Sequence, residues 1–321
     1  MPAKTGLDLP AENPLQQPVA GSPSHALVNH ETLWLKNFIS KQTQQTYRAV
    51  FREFCRLGEI ASPEALRQVT PAAIIGYRDY LIEEKKMRPR SVRNRLAAIS
   101  SLFQHLKNAQ LVTLNPVESI QRPKTDPNRG VTPAMATHQA AQLLSAPDTT
   151  TLAGARDSAI LHMLFFTGCR ISEPGQLLVK DLYDDEGYLM LRLTVKGGQQ
   201  KSVEVHHALR QALDRYLAMC GHGDQPDSPL FLAVKPGQNT GKPLSRQQVA
   251  RIFAKYRKKA GLPASYTPHS ARATCATTAL NNGARLEDVQ KMLGHADIRT
   301  TQIYDRRKHQ HKDSAVFSVK Y

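Results

Sequence analysis

Apolar side chains recur at helical spacing through the first third of this chain. Leu33, Leu35, Phe38 and Ile39 mark a short helix, and Tyr47, Val50, Phe51 and Phe54 mark a second. Thr70 before Pro71 predicts the start of a third, because a hydroxyl N-cap followed by proline at the first helical position satisfies an orphan N–H and presets φ. A fourth begins near Ser91 and puts Leu96, Ile99, Leu102, Phe103 and Leu106 on one stripe, closed by Asn115-Pro116. Four such helices can bury their stripes in a small bundle. After a charged, aperiodic stretch the pattern changes. Residues 137–144 and 152–167 read as helices, residues 188–195 alternate as a strand, residues 196–200 form a turn and residues 202–205 a second strand. Helical periods return at residues 209–219, 245–260, 270–281 and 286–293, with Asn282-Gly283 and Gly294 placed as C-caps.

This pattern predicts a mainly α protein with a small antiparallel β-hairpin. A proline-rich tail spans residues 1–24, a helical unit residues 25–122, a linker residues 123–132, an α+β unit residues 133–305 and a C-terminal tail residues 306–321. That last tail carries a small apolar cluster, Ala315, Val316, Phe317 and Val319. The chain has 321 residues, enough for two cores. No apolar run approaches the ~20 residues of a membrane span, and the N-terminus lacks the pattern of a signal peptide. The four cysteines, Cys55, Cys169, Cys220 and Cys275, are far apart and form no C-x-x-C, so packed thiols in a cytosolic protein are expected.

Charge adds a partner to this picture. Lysine and arginine number 43 against 27 acids, a formal net charge of +16, which points to a polyanion and first of all to nucleic acid. Arg88, Arg90, Arg93 and Arg95 crowd the start of the fourth helix, where cations oppose the macrodipole, and phosphate contact would account for them.

Breaking a DNA strand without metal or nucleotide cofactor takes a nucleophile, cations for the phosphorane and a proton donor. Arginine offers a planar fork that never loses its charge, and histidine works near neutral pH. Tyrosine titrates near 10 and needs a cationic surround to act as nucleophile. Arg170, Lys196, His269, Arg272, His295 and Tyr304 supply these types in order along one unit. Taken singly, each has an ordinary reading as a core, capping or surface residue; joint occurrence is what singles them out.

The same residues resemble the active-site set of the tyrosine recombinases of the phage integrase, Xer and Cre type. Gly168, Arg170, Ser172 and Glu173 with Leu177 and Asp181 are similar to the family's first arginine box. Val195-Lys196-Gly197 followed by Val203 and Val205 resembles its lysine-bearing hairpin, and Leu293-Gly294-His295 with Thr300, Thr301 and Tyr304 its final box. Ser40, Thr43, Tyr47, the helix start at Ser91 and Asn115-Pro116 resemble its SAM-like core-binding domain. Pro174 and Ala271 depart from the usual residues, one tolerable in a first helical turn and the other a change of packing.

The resemblance implies a site-specific DNA recombinase working through a 3′-phosphotyrosyl intermediate without metal or ATP. Tyr304 would be the nucleophile, Arg170 and Arg272 the phosphate clamp, Lys196 the proton donor, His269 the base and His295 a donor to phosphate. Glu173 would orient this set, and Arg88, Arg90, Arg93, Arg95 and Lys201 would meet DNA. It further implies a dimer on an inverted repeat, a tetramer in synapsis through the C-terminal tail, and a cytoplasmic, nucleoid-associated protein of bacterial, archaeal or phage origin. Strand nicking and closing of the type IB topoisomerase kind, or a DNA-binding remnant without catalysis, are the alternatives. A metal-dependent nuclease is disfavoured, since the sequence offers no carboxylate cluster.

Overall fold

Hydroxyl caps begin most helices of the first unit. The computed structural model of the chain describes residues 23–124, 132–195, 198–235 and 238–305. Two units divide it, Met1–Asp126 and Pro127–Tyr321. In the first, α1 (Pro23–Lys36) precedes α2 (Lys41–Leu57), which starts where Ser40 Oγ accepts from the Thr43 N–H. Ser62 and Thr70 cap α3 (Pro63–Arg67) and α4 (Pro71–Glu83) in the same way, each followed by proline at the first turn. The longest helix, α5 (Pro89–Asn108), buries Leu96, Ile99, Leu102, Phe103 and Leu106 together with Val92. Trp34 closes the bundle: its indole N–H donates to Ser101 Oγ at 3.1 Å while its ring stacks on Tyr47.

Several boundaries move from expectation. The first helix ends at Lys36, leaving Ile39 102% exposed, because Ser40 is already the cap of the next helix. The stripe helix begins at Pro89, not Ser91, since Arg88 takes the extended N-cap conformation and proline suits the position after it. It also ends at Asn108, well before Asn115-Pro116. Asn115 instead staples the following turn to α5, donating to the Ser100 carbonyl at 3.0 Å and accepting from the Val117 N–H at 3.1 Å. The short α3 is a fifth element of the bundle. Pro23 and Ser24, assigned to the tail, open α1. Residues 1–22 of that tail, residues 125–131 of the linker and the whole of residues 306–321 lie outside the described residues.

In the second unit α6 (Thr137–Ser145) leads to α7 (Leu152–Phe166), which is buried on nearly all sides and forms the spine of the core. A three-stranded antiparallel sheet follows, β1 (Leu182–Asp185), β2 (Tyr188–Thr194) and β3 (Gln200–Glu204), in that order. Leu191 faces Val203 and Leu193 faces Lys201 across β2 and β3, so one face of the hairpin carries Leu191, Leu193, Val203 and Lys201. The leucines and Val203 are core residues. Next come α8 (His207–Cys220) and a second hairpin, β4 (Leu232–Lys235) and β5 (Gln238–Pro243). Helices α9 (Arg246–Lys259), α10 (Pro268–Asn281), α11 (Leu286–Leu293) and the short α12 (Arg299–Gln302) complete the unit. Strands β1, β4 and β5 and helix α12 have no counterpart in the pattern reading. Glycine, asparagine and proline in β5, and acids in β1, are poor strand formers that pairing alone recruits.

Candidate active site

Four segments distant in sequence converge beside the end of α11. The first is the turn after α7. Gly168 sits there at φ +58°, and a Cβ in its place would lie 2.5 Å from Leu293 Cδ2, so a side chain would strain this turn and push the Leu293 side chain aside where the turn meets α11. Arg170 follows, its guanidinium held by the carboxylate of Glu173, which is 3% exposed. Glu173 Oε1 accepts from Arg170 Nη1 at 3.2 Å and Oε2 accepts from the Arg170 backbone N–H at 2.9 Å. Pro174 opens a 3-10 turn just beyond, where its missing N–H costs nothing.

The second segment is the N-terminal turn of α10. Ser270 Oγ reaches back to accept from the Thr267 N–H at 3.1 Å, which sets the turn carrying His269. His269 keeps part of its surface exposed, while partial desolvation of its ring, and then the cations of Arg272 and Arg170, hold its pKa below the ordinary value. Arg272, one turn on, is 2% exposed. Its Nη1 donates to the Gly168 carbonyl and its Nη2 to the Leu293 carbonyl, the latter at 2.7 Å. The guanidinium therefore ties the arginine-box turn to the end of α11, with further N–H groups of its fork left over for a ligand.

The third segment, after α11, carries His295 and Tyr304. Gly294 takes the left-handed C-cap conformation at φ +65°. His295 Nδ1 lies 2.9 Å from Thr301 Oγ1, and its ring stacks near Tyr304 with centroids 6.3 Å apart. Burial, then Arg272, Arg170, Lys201 and His269, push the His295 pKa down to about 4, so the imidazole is neutral at physiological pH. Tyr304 is 2% exposed and packs with Ala273, Ala276, Leu280, Val289 and Leu293. Burial raises its pKa, and the nearby cations of Arg272 and Arg170 pull the other way. The thiols of Cys169 and Cys275 are pushed up to about 12 by burial, which makes them inert packing groups.

The hairpin brings the fourth group. Lys196 lies outside the described residues. Lys201, expected as a DNA contact, turns inward instead: its Nζ donates to the Met292 carbonyl, and burial brings its pKa down to about 8. The reason is strand phase, because Lys201 shares the inward face of β3 with Val203. In the first unit Arg88, Arg90 and Arg93 are exposed at the start of α5, whereas Arg95 is half-buried in an ion pair with Glu53 of α2 and is already neutralised within the protein. Thr301, whose hydroxyl meets His295, and Ser270, whose hydroxyl sets the turn carrying His269, are contributors to this cluster to which the sequence reading gave no role.

The sequence profile of the phage integrase family matches residues 133–311, and that of the phage integrase N-terminal SAM-like domain matches residues 31–112. The chain belongs to the phage integrase family. Tyrosine recombinase XerC of Roseiflexus sp. is 32% identical over 277 residues, covering 84% of this chain and 85% of the relative. Tyrosine recombinase XerD of Listeria monocytogenes is 31% identical over 250 residues, covering 77% and 80%. With these relatives the chain is a tyrosine-type site-specific recombinase. The fold agrees: a lambda integrase dimer bound to a core site superposes with TM-score 0.68 at 19% identity, over 89% of this chain and 98% of that one. A XerH recombinase bound to a palindromic difH substrate gives 0.69 at 18% identity, over 82% and 76%. No helix among the described residues is long and apolar enough to cross a membrane.

Proposed function

We propose that this recombinase cleaves DNA by attack of Tyr304 on the scissile phosphate, leaving a 3′-phosphotyrosyl bond and a free 5′-hydroxyl. The reading rests above all on two guanidinia, Arg170 and Arg272, and a neutral imidazole, His295, gathered around one tyrosine. Arg170 and Arg272 bind the non-bridging oxygens; losing one such donor in a water-poor site costs about 3 kcal/mol of transition-state stabilisation. His269, held neutral, accepts the tyrosine proton, and His295 donates from Nε2 to a phosphoryl oxygen. Lys196 protonates the leaving 5′-oxygen. Rejoining reverses each step, and the bond energy stored in the phosphotyrosine removes the need for ATP. Glu173 keeps Arg170 aimed through two hydrogen bonds to it.

The substrate in this reading is duplex DNA with an inverted repeat, contacted by the exposed Arg88, Arg90 and Arg93 of a core-binding domain over residues 25–122 and cleaved by a catalytic domain over residues 133–305, in the cytoplasm at the nucleoid. A dimer occupies one site and two dimers synapse; the lambda integrase neighbours include a dimer on a core site and a tetramer bound to a Holliday junction.

The test offers the full chain a randomised pool of nicked duplexes and recovers adducts that survive denaturation. The native chain should trap a DNA subset by its 3′ end, and Tyr304→Phe should bind those duplexes yet trap none. Trapping by Tyr304→Phe would overturn the assignment.

A further inference from the structure

The C-terminal end of a helix leaves four carbonyls without helical partners. In α11 all four are accounted for. The Gln290 carbonyl accepts from the His295 N–H at 3.2 Å and the Lys291 carbonyl from the Gly294 N–H at 3.0 Å, both in the usual manner of a left-handed cap. The Met292 and Leu293 carbonyls instead accept from two cations that come from other elements, Lys201 of β3 and Arg272 of α10.

Packing agrees with this division. A Cβ built on Gly294 would lie 3.2 Å from Lys201 Cδ and 3.3 Å from Val195 Cγ1, so the hairpin presses directly on the turn that leads into His295. Around the Lys201 ammonium stand the Glu173 carboxylate, the Arg272 and Arg170 guanidinia and the Cys169 thiol. A cation at a helix C-terminus meets the negative end of the dipole, and a buried one is worth more than an exposed one.

We propose that Lys201 is a positioning residue of the recombination site, closing the end of α11 from the inward face of β3 and so holding the Gly294–His295 turn in register with Arg272. It acts through His295, touches no substrate, and is distinct from Lys196 of the same hairpin. This rests on the reading of His295 and Tyr304 given above.

Two measurements on the full chain separate that reading from this one. In the DNA-free protein, histidine side-chain 15N spectra assigned with His295→Gln should show the His295 signals displaced in Lys201→Met and near native in Lys201→Arg. On the duplex recovered by native trapping, Lys201→Met should bind as the native chain does but form adduct about tenfold more slowly, as expected when one charged hydrogen bond is removed. The native rate should fall as pH rises through about 8, where the Lys201 ammonium loses its proton, and Lys201→Met should lack that limb. If Lys201→Met melts early, Lys201→Gln, which keeps an N–H donor without the charge, carries the same measurements. Undisturbed His295 signals with a native rate, or a rate loss matched by an equal loss of DNA affinity, would overturn the proposal. Absence of any adduct from the native chain would instead count against the cleavage reading, while the His295 signals would still decide the role of Lys201.

Discussion

Replacing Thr301 with valine isolates a single hydrogen bond in the site. Thr301 is fully buried in α12, and its hydroxyl lies 2.9 Å from His295 Nδ1. With the hydroxyl donating, the imidazole carries its own proton on Nε2, the tautomer that can donate to phosphate. Valine keeps the shape and the β-branching but leaves Nδ1 without this partner. A buried nitrogen left unpaired costs about 1–3 kcal/mol, and the preference between tautomers goes with it. Felt at the transition state, that is a ~10–100-fold slower cleavage. Thr301→Ser keeps the hydroxyl and should stay within a few-fold of native. Single-turnover adduct formation on the recovered duplex, with affinity measured separately, reads both variants. A native rate in Thr301→Val would refute the reasoning, and so would a Thr301→Ser as slow as the valine variant, since packing and not the hydroxyl would then matter.

Other outcomes follow from charge. His295 titrates at about 4 in the folded protein against an ordinary ~6.5, so the unfolded chain takes up the proton first as pH falls. Stability from this group is intact above about 6.5, declines as pH falls towards 4 and changes little below; His295→Gln should flatten that part of the melting-temperature profile, with His269 and His105 retaining some slope. An unchanged profile would contradict the burial of a neutral imidazole. Arg88→Ala with Arg90→Ala should weaken DNA binding and lower the salt slope by about two, one for each phosphate that an arginine no longer neutralises. Arg95→Ala should leave the slope alone and lower the melting temperature instead, because its charge is spent on Glu53.

Much of the architecture was legible because burial imposes a period. The α5 stripe from Leu96 to Leu106 is the buried face in the structure, and residues 286–293 match α11 at both ends. Side-chain caps leave a mark at some helix starts: Thr70, read as a cap from the sequence, accepts from the N–H three residues on, as do Ser40, Ser62, Thr151 and Ser245. Strands held by pairing alone, such as β5, carry no such mark. The residues proposed for the site were legible as types, but the partners that aim them were not, because those partners are mostly backbone carbonyls. Gly168, Met292 and Leu293 accept from Arg272 and Lys201 through atoms that every residue has. One signal was available and passed over. Lys201 and Val203 share one face of β3, and that phase alone turns Lys201 from a surface base into a half-buried one.

The depth of Tyr304 has its own consequence for selectivity. Its ring is 2% exposed among small apolar side chains, while Ile303 beside it is 46% exposed. Under the proposed role of Tyr304, bringing the ring out to a phosphate would give up most of its apolar burial, about 1.5–3 kcal/mol by the usual scale for a large side chain. A difference of that size keeps the reactive arrangement at about 1–10% of molecules until DNA binding supplies the remainder. Storage of this kind is visible without any target DNA. Tyr188, on the open end of β2, is 68% exposed and serves as an internal reference within the same domain. Under mild nitration of the free protein, Tyr188 should react at least about tenfold faster than Tyr304, in line with the population estimate. Equal rates would mean that Tyr304 stands ready in the absence of DNA, and the protein would then have to gain its selectivity from binding alone.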